Sequence, residues 1–156
     1  MNKTQTAHAR PLSKTVLGPA HLRYYAAHRV VAWQPHGVLD DRLLDEIVAW
    51  LLIIEKVALP FKRFIDFSRL NRISVKTGHV FTIAQERAKK YRGVTPIRCA
   101  LYCDRLVGFG IAHLYETLMA NSPVEARAFR NRAAAAEWLG VPAEILSLKD
   151  EPAPPV

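Results

Sequence analysis

The chain has 156 residues, with 22 Lys and Arg against 14 Asp and Glu, a formal net charge of +8. A length near the common domain size of about 100–150 residues argues for one core, and a composition 50% apolar and 23% charged excludes a wholly disordered, collagen-like or disulfide-scaffold protein. Lys3, Arg10, Lys14, Arg23 and Arg29 precede the first acid, Asp40, so the charge describes a basic arm on a nearly balanced domain rather than the basic, aromatic-studded face of a nucleic-acid binder.

Residues 1–20 are polar, basic and close on Gly18-Pro19; they read as a flexible tail. Residues 21–141 read as a single domain, and 142–156, with Pro142, Pro152, Pro154 and Pro155, as a Pro-rich C-terminal tail. Within the domain, 22–27 and 29–36 are rich in Tyr, Val and Trp and are predicted to form an antiparallel hairpin around His28. Asp40 or Asp41 is placed to cap a helix whose stripe is Leu43, Ile47, Trp50, Leu51 and Ile54, stopped by Pro60. A strand over 61–68 follows. Ser74 or Thr77 is then expected to cap a second helix bearing Val80, Ile83, Ala84, Arg87, Ala88 and Tyr91 on one face, with Arg87 lying along it by its stem. The run Lys89-Lys90-Tyr91-Arg92 before Gly93 reads as a solvated helix end whose cations complement the dipole.

The segment 97–103 is apolar enough for a central strand buried on both faces. Val107, Ile111, Leu114, Tyr115 and Leu118 mark a third helix, 124–129 a last strand, and Asn131 the cap of an Ala-rich helix ending at Leu139-Gly140. Strands alternating with helices need crossovers, and crossovers make strands parallel. The expected fold is α/β: a single mixed, mostly parallel sheet with an N-terminal antiparallel hairpin and about four helices.

Cys99 and Cys103 lie four apart in an extended run, so their Cα atoms stand about 13 Å apart, beyond the roughly 7 Å that a disulfide spans. Free thiols fit a reducing cytosol, and a cytoplasmic location is expected. The longest apolar run, 47–54, has eight residues against the about 20 that cross a bilayer, so no membrane span is expected, and the polar start lacks the apolar region of a signal peptide.

The order of elements and several phrases resemble the SpoIIAA-like family, a branch of the STAS (sulphate transporter and anti-sigma factor antagonist) fold. The residues that carry the resemblance are Phe64-Ile65-Asp66-Phe67-Ser68, Ile97-Arg98-Cys99-Ala100-Leu101-Tyr102, Phe109-Gly110-Ile111-Ala112, and the end, Val124-Glu125-Ala126-Arg127-Ala128-Phe129-Arg130-Asn131 with Ala135-Ala136-Glu137-Trp138-Leu139. The resemblance covers roughly 22–140 and implies a small non-enzymatic module that binds a protein partner or a small ligand. In the anti-sigma factor antagonists a serine in an Asp-Ser-Ser-Gly turn opening the second helix is phosphorylated. The corresponding stretch here is Ile73-Ser74-Val75-Lys76-Thr77-Gly78, in which the acid is absent and Lys76 stands mid-turn.

A hydroxyl at a helix N-terminus either caps it or takes a phosphate, because free N–H groups and the dipole favour negative charge there. Capping is the expected role of Ser74 and Thr77, with phosphorylation the alternative; Lys76 and Gly78 add a place for an anionic ligand. Asp66-Phe67-Ser68-Arg69 lies at a strand's carboxyl end, where open α/β sheets bind ligands, and Asp66 and Ser68 point to one side. Asp66, Ser68, Arg69, Ser74, Lys76, Thr77 and Gly78 therefore form the candidate ligand or partner site, although Asp66 equally suits the N–H groups of the loop that follows it.

Other motifs carry less. Cys103-Asp104 lacks a neighbouring base, so inert thiols are expected. Gly108-Phe109-Gly110 is followed by His113 where a dinucleotide turn needs a small residue, and close packing is the expected role. His113 and Glu116 supply two ligands where a metal site needs three or four. No metal, cofactor or catalytic set is expected. The favoured function is a regulatory or interaction module binding a protein partner around the second helix, with a homodimer as one form. The alternative is a carrier or sensor of a small amphipathic or anionic ligand held between sheet and helices, with Trp50, Phe67, Phe81 and Tyr115 as candidate cavity residues.

Overall fold

The computed structural model of the chain describes residues 22–56 and 61–147. The basic tail, Pro60 and the final Pro-rich residues from 148 onward lie outside the described residues.

Strand β1 (Arg23–Tyr25) pairs antiparallel with β2 (Val30–Trp33), Tyr24 opposite Val31, around a 3-10 turn over Ala26–His28. Helix α1 (Asp41–Glu55) then crosses to β4 (Lys62–Asp66), α2 (Thr77–Lys90) to β6 (Ile97–Tyr102), and α3 (Leu106–Met119) to β7 (Val124–Phe129). Each crossover joins parallel neighbours, and the five-stranded sheet runs β1-β2-β4-β6-β7. This is the mixed, mostly parallel sheet with an antiparallel hairpin and four helices that the alternation predicts; α4 (Arg132–Leu139) completes it.

Strand alternation divides the core. Val31, Trp33, Ile65, Cys99 and Leu101 face α1, α2 and α3, while Val30, Ala32, Phe64 and Ala100 face α4. Ile47, Leu51 and Ile54 of α1 are buried at the spacing of the predicted stripe, and each such side chain gains about 1.5–3 kcal/mol by leaving water. Helix α1 nevertheless stands off: no single element runs close along its backbone, whereas α2 lies against α3 and α3 against β7.

Local signals set the helix ends where the side chains can reach. Asp40 accepts the Leu43 N–H at 2.8 Å and Asn131 accepts the Ala134 N–H at 3.0 Å, each meeting an orphan donor of the first turn. Gly140 closes α4 at φ 68°, a left-handed conformation that glycine adopts without a Cβ penalty. Helix α2 departs from expectation. Lys76 occupies its cap position, Thr77 is already its first helical residue, and no side chain caps it.

Two short strands are additional to the predicted order. The sequence after β2 breaks at Gln34-Pro35-His36, then β3 (Gly37–Leu39) pairs in parallel with β5 (Leu70–Ile73), which follows β4. The β2–β4 pairing is thus resumed beyond a gap. At the gap the next residues in register, Gln34 and Asp66, join through their side chains at 2.9 Å. Folded structure also continues past residue 141: Ala143–Leu146 form a 3-10 turn, and Leu146 packs with Leu139, Ala135 and Phe64.

Candidate functional site

A cavity of about 70 Å³ lies between the sheet and helices α1, α2 and α3. Leu44, Ile47 and Leu51 cover it from α1, Val80 and Ile83 from α2, and Trp33, Ile65 and Leu101 from the sheet. Phe67 and Tyr115 line it as the sequence suggested; Trp50 and Phe81 do not. Trp50 packs on the core's flank and Phe81 is 46% exposed on α2, because its position falls off the Val80, Ile83 and Arg87 stripe.

The apolar wall is interrupted by Arg63 of β4 and Arg87 of α2. Both guanidinium groups are buried, and both engage Glu55, the last residue of α1, whose side chain is 1% exposed. One terminal nitrogen of Arg63, Nη2, donates to Glu55 Oε1 and to the Tyr91 hydroxyl, each at 2.8 Å. Arg87 donates to both carboxylate oxygens, and Lys90 Nζ reaches Glu55 Oε2 at 2.9 Å. The guanidinium carbons of Arg63 and Arg87 stand 5.0 and 4.9 Å from the centre of the Tyr91 ring, within cation–π range.

Three cations therefore converge on one carboxylate. Burial opposes ionisation of Glu55, but Arg63, the Tyr91 hydroxyl, Arg87 and Lys90 outweigh it and hold the carboxyl below its ordinary range. Among the described residues the surplus positive charge is not met by further ionised neighbours. Burial pushes Cys99 up to about 11 and Tyr91 and Tyr115 up to about 12, so all three are neutral near pH 7. The Nε of Arg63 is buried and has no hydrogen-bond partner among the described residues, a cost of about 1–3 kcal/mol for an unpaired buried donor.

The sequence places none of these five residues in a site, yet their pattern was visible. Glu55 follows Leu51 by four on an apolar stripe, Arg63 alternates inward with Ile65, and Arg87 shares the face of Val80, Ile83 and Ala84. The end of α2 is correspondingly not a solvated charge run throughout, since Tyr91 is fully buried and Lys90 turns to Glu55.

The predicted site is divided. Asp66 is fully buried on the α4 face: its Oδ1 accepts the Ser68 N–H at 2.9 Å, and its Oδ2 accepts Gln34 Nε2 at 2.9 Å and Arg132 Nη2 at 2.7 Å. Arg132 also lies over the Tyr102 ring at 4.5 Å. Ser68 is half-buried and Arg69 exposed in the loop that follows. Ser74, Lys76, Thr77 and Gly78 are exposed at the start of α2, on the opposite layer, where the Ser74 N–H donates to Leu39 O at 2.8 Å. Neither Ser74 nor Thr77 caps. The Lys76 N–H is taken by Asp41 Oδ1 at 2.9 Å and His79 meets Asp45 at 2.7 Å. Two carboxylates of α1 thus supply the negative charge that this helix start favours, leaving an anion there opposed by both.

The remaining motifs are structural in their contacts. Both cysteines are free and buried, with burial, Asp104 and Asp66 pushing Cys103 up to about 12. A Cβ on Gly108 would stand 3.5 Å from the Cys103 Cβ, the close helix packing expected of it. Glu116 accepts the Ala128 N–H on edge strand β7 at 2.8 Å, and the described residues hold no group of three metal-ligating side chains. Among the described residues no helix is long and apolar enough to cross a membrane.

The sheet order, the antiparallel hairpin and the four helices are those of a SpoIIAA-like fold. The solved structures include a similar one, the crystal structure of an uncharacterized protein of the DUF3478 family with a SpoIIAA-like fold from Shewanella loihica PV-4. It matches with a TM-score of 0.50 and 15% identity over 70% of this chain and 83% of that one, a likeness that speaks for the fold alone. No family model matches the sequence, and no curated protein matches it.

Proposed function

We propose that this STAS-like domain is a non-enzymatic cytoplasmic binding module whose occupant is a small anionic molecule with a short apolar body, held between sheet and helices. The observation that carries this reading is that Arg63, whose buried Nε has no hydrogen-bond partner among the described residues, lines with Arg87 a mostly apolar cavity and belongs to a cluster of three cations and one carboxylate. An anion there satisfies a donor and neutralises charge, while apolar atoms fill space beneath α1. The cavity of about 70 Å³ limits the occupant to a few heavy atoms unless α1 moves outward. The test is calorimetric titration with carboxylates of increasing chain length and the matching alcohols. The carboxylate should bind at least tenfold more tightly than its alcohol, and Arg63→Met should abolish the difference; equal binding of the two sinks the reading.

A protein partner docking on α2, a second copy of the chain included, is the other reading, and the exposed Phe81 favours it. Phe81→Ser should then release a copurifying partner without lowering the melting temperature; a protein that stays monomeric and alone in native mass spectrometry argues against it.

A further inference from the structure

We infer that a second site, independent of the cavity, binds a phosphate group at the amino-terminal rim of the sheet. A cleft of about 300 Å³ opens there, lined by His28, Arg29, Phe61, Lys62, Pro96 and Arg98. Arg29 directly precedes β2, Lys62 opens β4 in register with Val30, and Arg98 of β6 precedes Cys99, the partner of Arg63. Adjacent parallel strands thereby bring three permanent cations to one rim.

Arg29 supplies a second, independent observation. It adopts φ 53° and ψ 44°, the left-handed conformation, and is the one described residue other than glycine with positive φ. Its backbone is held on both sides, the N–H donating to Ala26 O at 3.2 Å and the carbonyl accepting the Lys62 N–H at 2.8 Å. Glycine adopts this geometry freely, whereas a side chain there is strained. The turn thus places a long cation, at some cost in backbone strain, where glycine would fit freely.

Structural duties account for only part of the charge. Arg98 donates to Trp138 O at 2.7 Å and lies 3.6 Å from Glu125, answering the carboxyl end of α4. Among the described residues no acidic side chain bonds Arg29 or Lys62. Lys62 Nζ stands by Gly140 at the carboxyl end of α4, 3.6 Å from where a Cβ there would lie, so the cleft presents one unneutralised cation, Arg29, and two partly used, Lys62 and Arg98, with Phe61 and Pro96 as apolar walls. A phosphate, with two negative charges and several acceptor oxygens, suits such a site better than a monovalent anion.

The experiment uses the full chain with inorganic phosphate and pyrophosphate, against chloride at equal ionic strength, and with phosphatidylcholine vesicles with or without phosphatidic acid. Phosphate should bind more tightly than chloride; binding to phosphatidic acid vesicles alone would assign the group to a lipid headgroup, and binding to both to phosphate in general. Arg29→Gly should weaken that binding about tenfold, the loss of one charge-assisted contact, while raising the melting temperature. Lys62→Gln should weaken it similarly. Phosphate acting no differently from chloride in every arm, or Arg29→Gly and Lys62→Gln binding as tightly as the unaltered chain, overturns the site. A lower melting temperature for Arg29→Gly overturns the strain argument.

Discussion

Glu55 and Arg63 meet at 2.8 Å with their side chains 1% and 2% exposed, an ion pair closed off from water between the end of α1 and the start of the sheet. Because no single element runs close along the backbone of α1, this pair and its neighbours Arg87 and Lys90 are a main polar fastening of that helix to the body. Such pairs are weak net stabilisers when whole and expensive to break.

Glu55→Ala leaves two buried guanidinium groups uncompensated and should cost about 3–5 kcal/mol in urea denaturation. Arg63→Met should cost less, since Glu55 keeps Arg87 and Lys90. Equal losses would show that the cluster does not share its charge as the contacts imply.

Acid should unfold the chain partly through Glu55. Its carboxyl lies below the ordinary value of 4.5 in the folded state, so the stabilisation is present above that value and is lost as pH falls through the folded one. Stability measured from pH 6 to pH 3 should fall more steeply for the unaltered chain than for Glu55→Gln, which has no proton to take up.

Alkali should act through groups held neutral. Burial raises Cys99 from 9.0 to about 11, and Tyr91 and Tyr115 from 10.0 to about 12. A raised value gives stability that is complete below the unfolded one and disappears as pH climbs through the folded one, here from about 9 to about 12. Below that window, at pH 8, a thiol reagent should label neither cysteine until denaturant is added.

Helix caps offer a contrast within one fold. Asp40→Ala and Asn131→Ala each remove an acceptor for a first-turn N–H and should cost about 0.5–2 kcal/mol by thermal or urea unfolding. Ser74→Ala and Thr77→Ala remove none, and should change stability by less than about 0.5 kcal/mol. Asp41→Ala, which frees the Lys76 N–H, should cost more than either.

The elements that sequence resolved are those with local causes. Asp40 and Asn131 reach N–H groups three residues on, and Ile47, Leu51 and Ile54 repeat at the helical period; neither needs knowledge of the rest of the chain. Strands β3 and β5 escaped because three- and four-residue segments carry too little pattern to be read alone, and each exists only because the other resumes the β2–β4 pairing. The candidate site suffered similarly. Asp66 and the Thr77 turn are near in sequence, but Asp66 faces α4 and the turn faces α1.

By itself the sequence determined the alternation of strands and helices, the hairpin, and hence a mixed, mostly parallel sheet, because hydrophobic period and crossover geometry act over short stretches; its SpoIIAA-like type was implied by the resemblance of particular phrases, such as Phe64-Ile65-Asp66-Phe67-Ser68. Only the tertiary structure decided which charges meet. Glu55, Arg63 and Arg87 are each an anomaly on an apolar stripe, and Arg29, Lys62 and Arg98 each an ordinary surface cation. Their grouping follows from strand order and register, which bring residues up to about 70 positions apart to one point in the core or to one rim of the sheet.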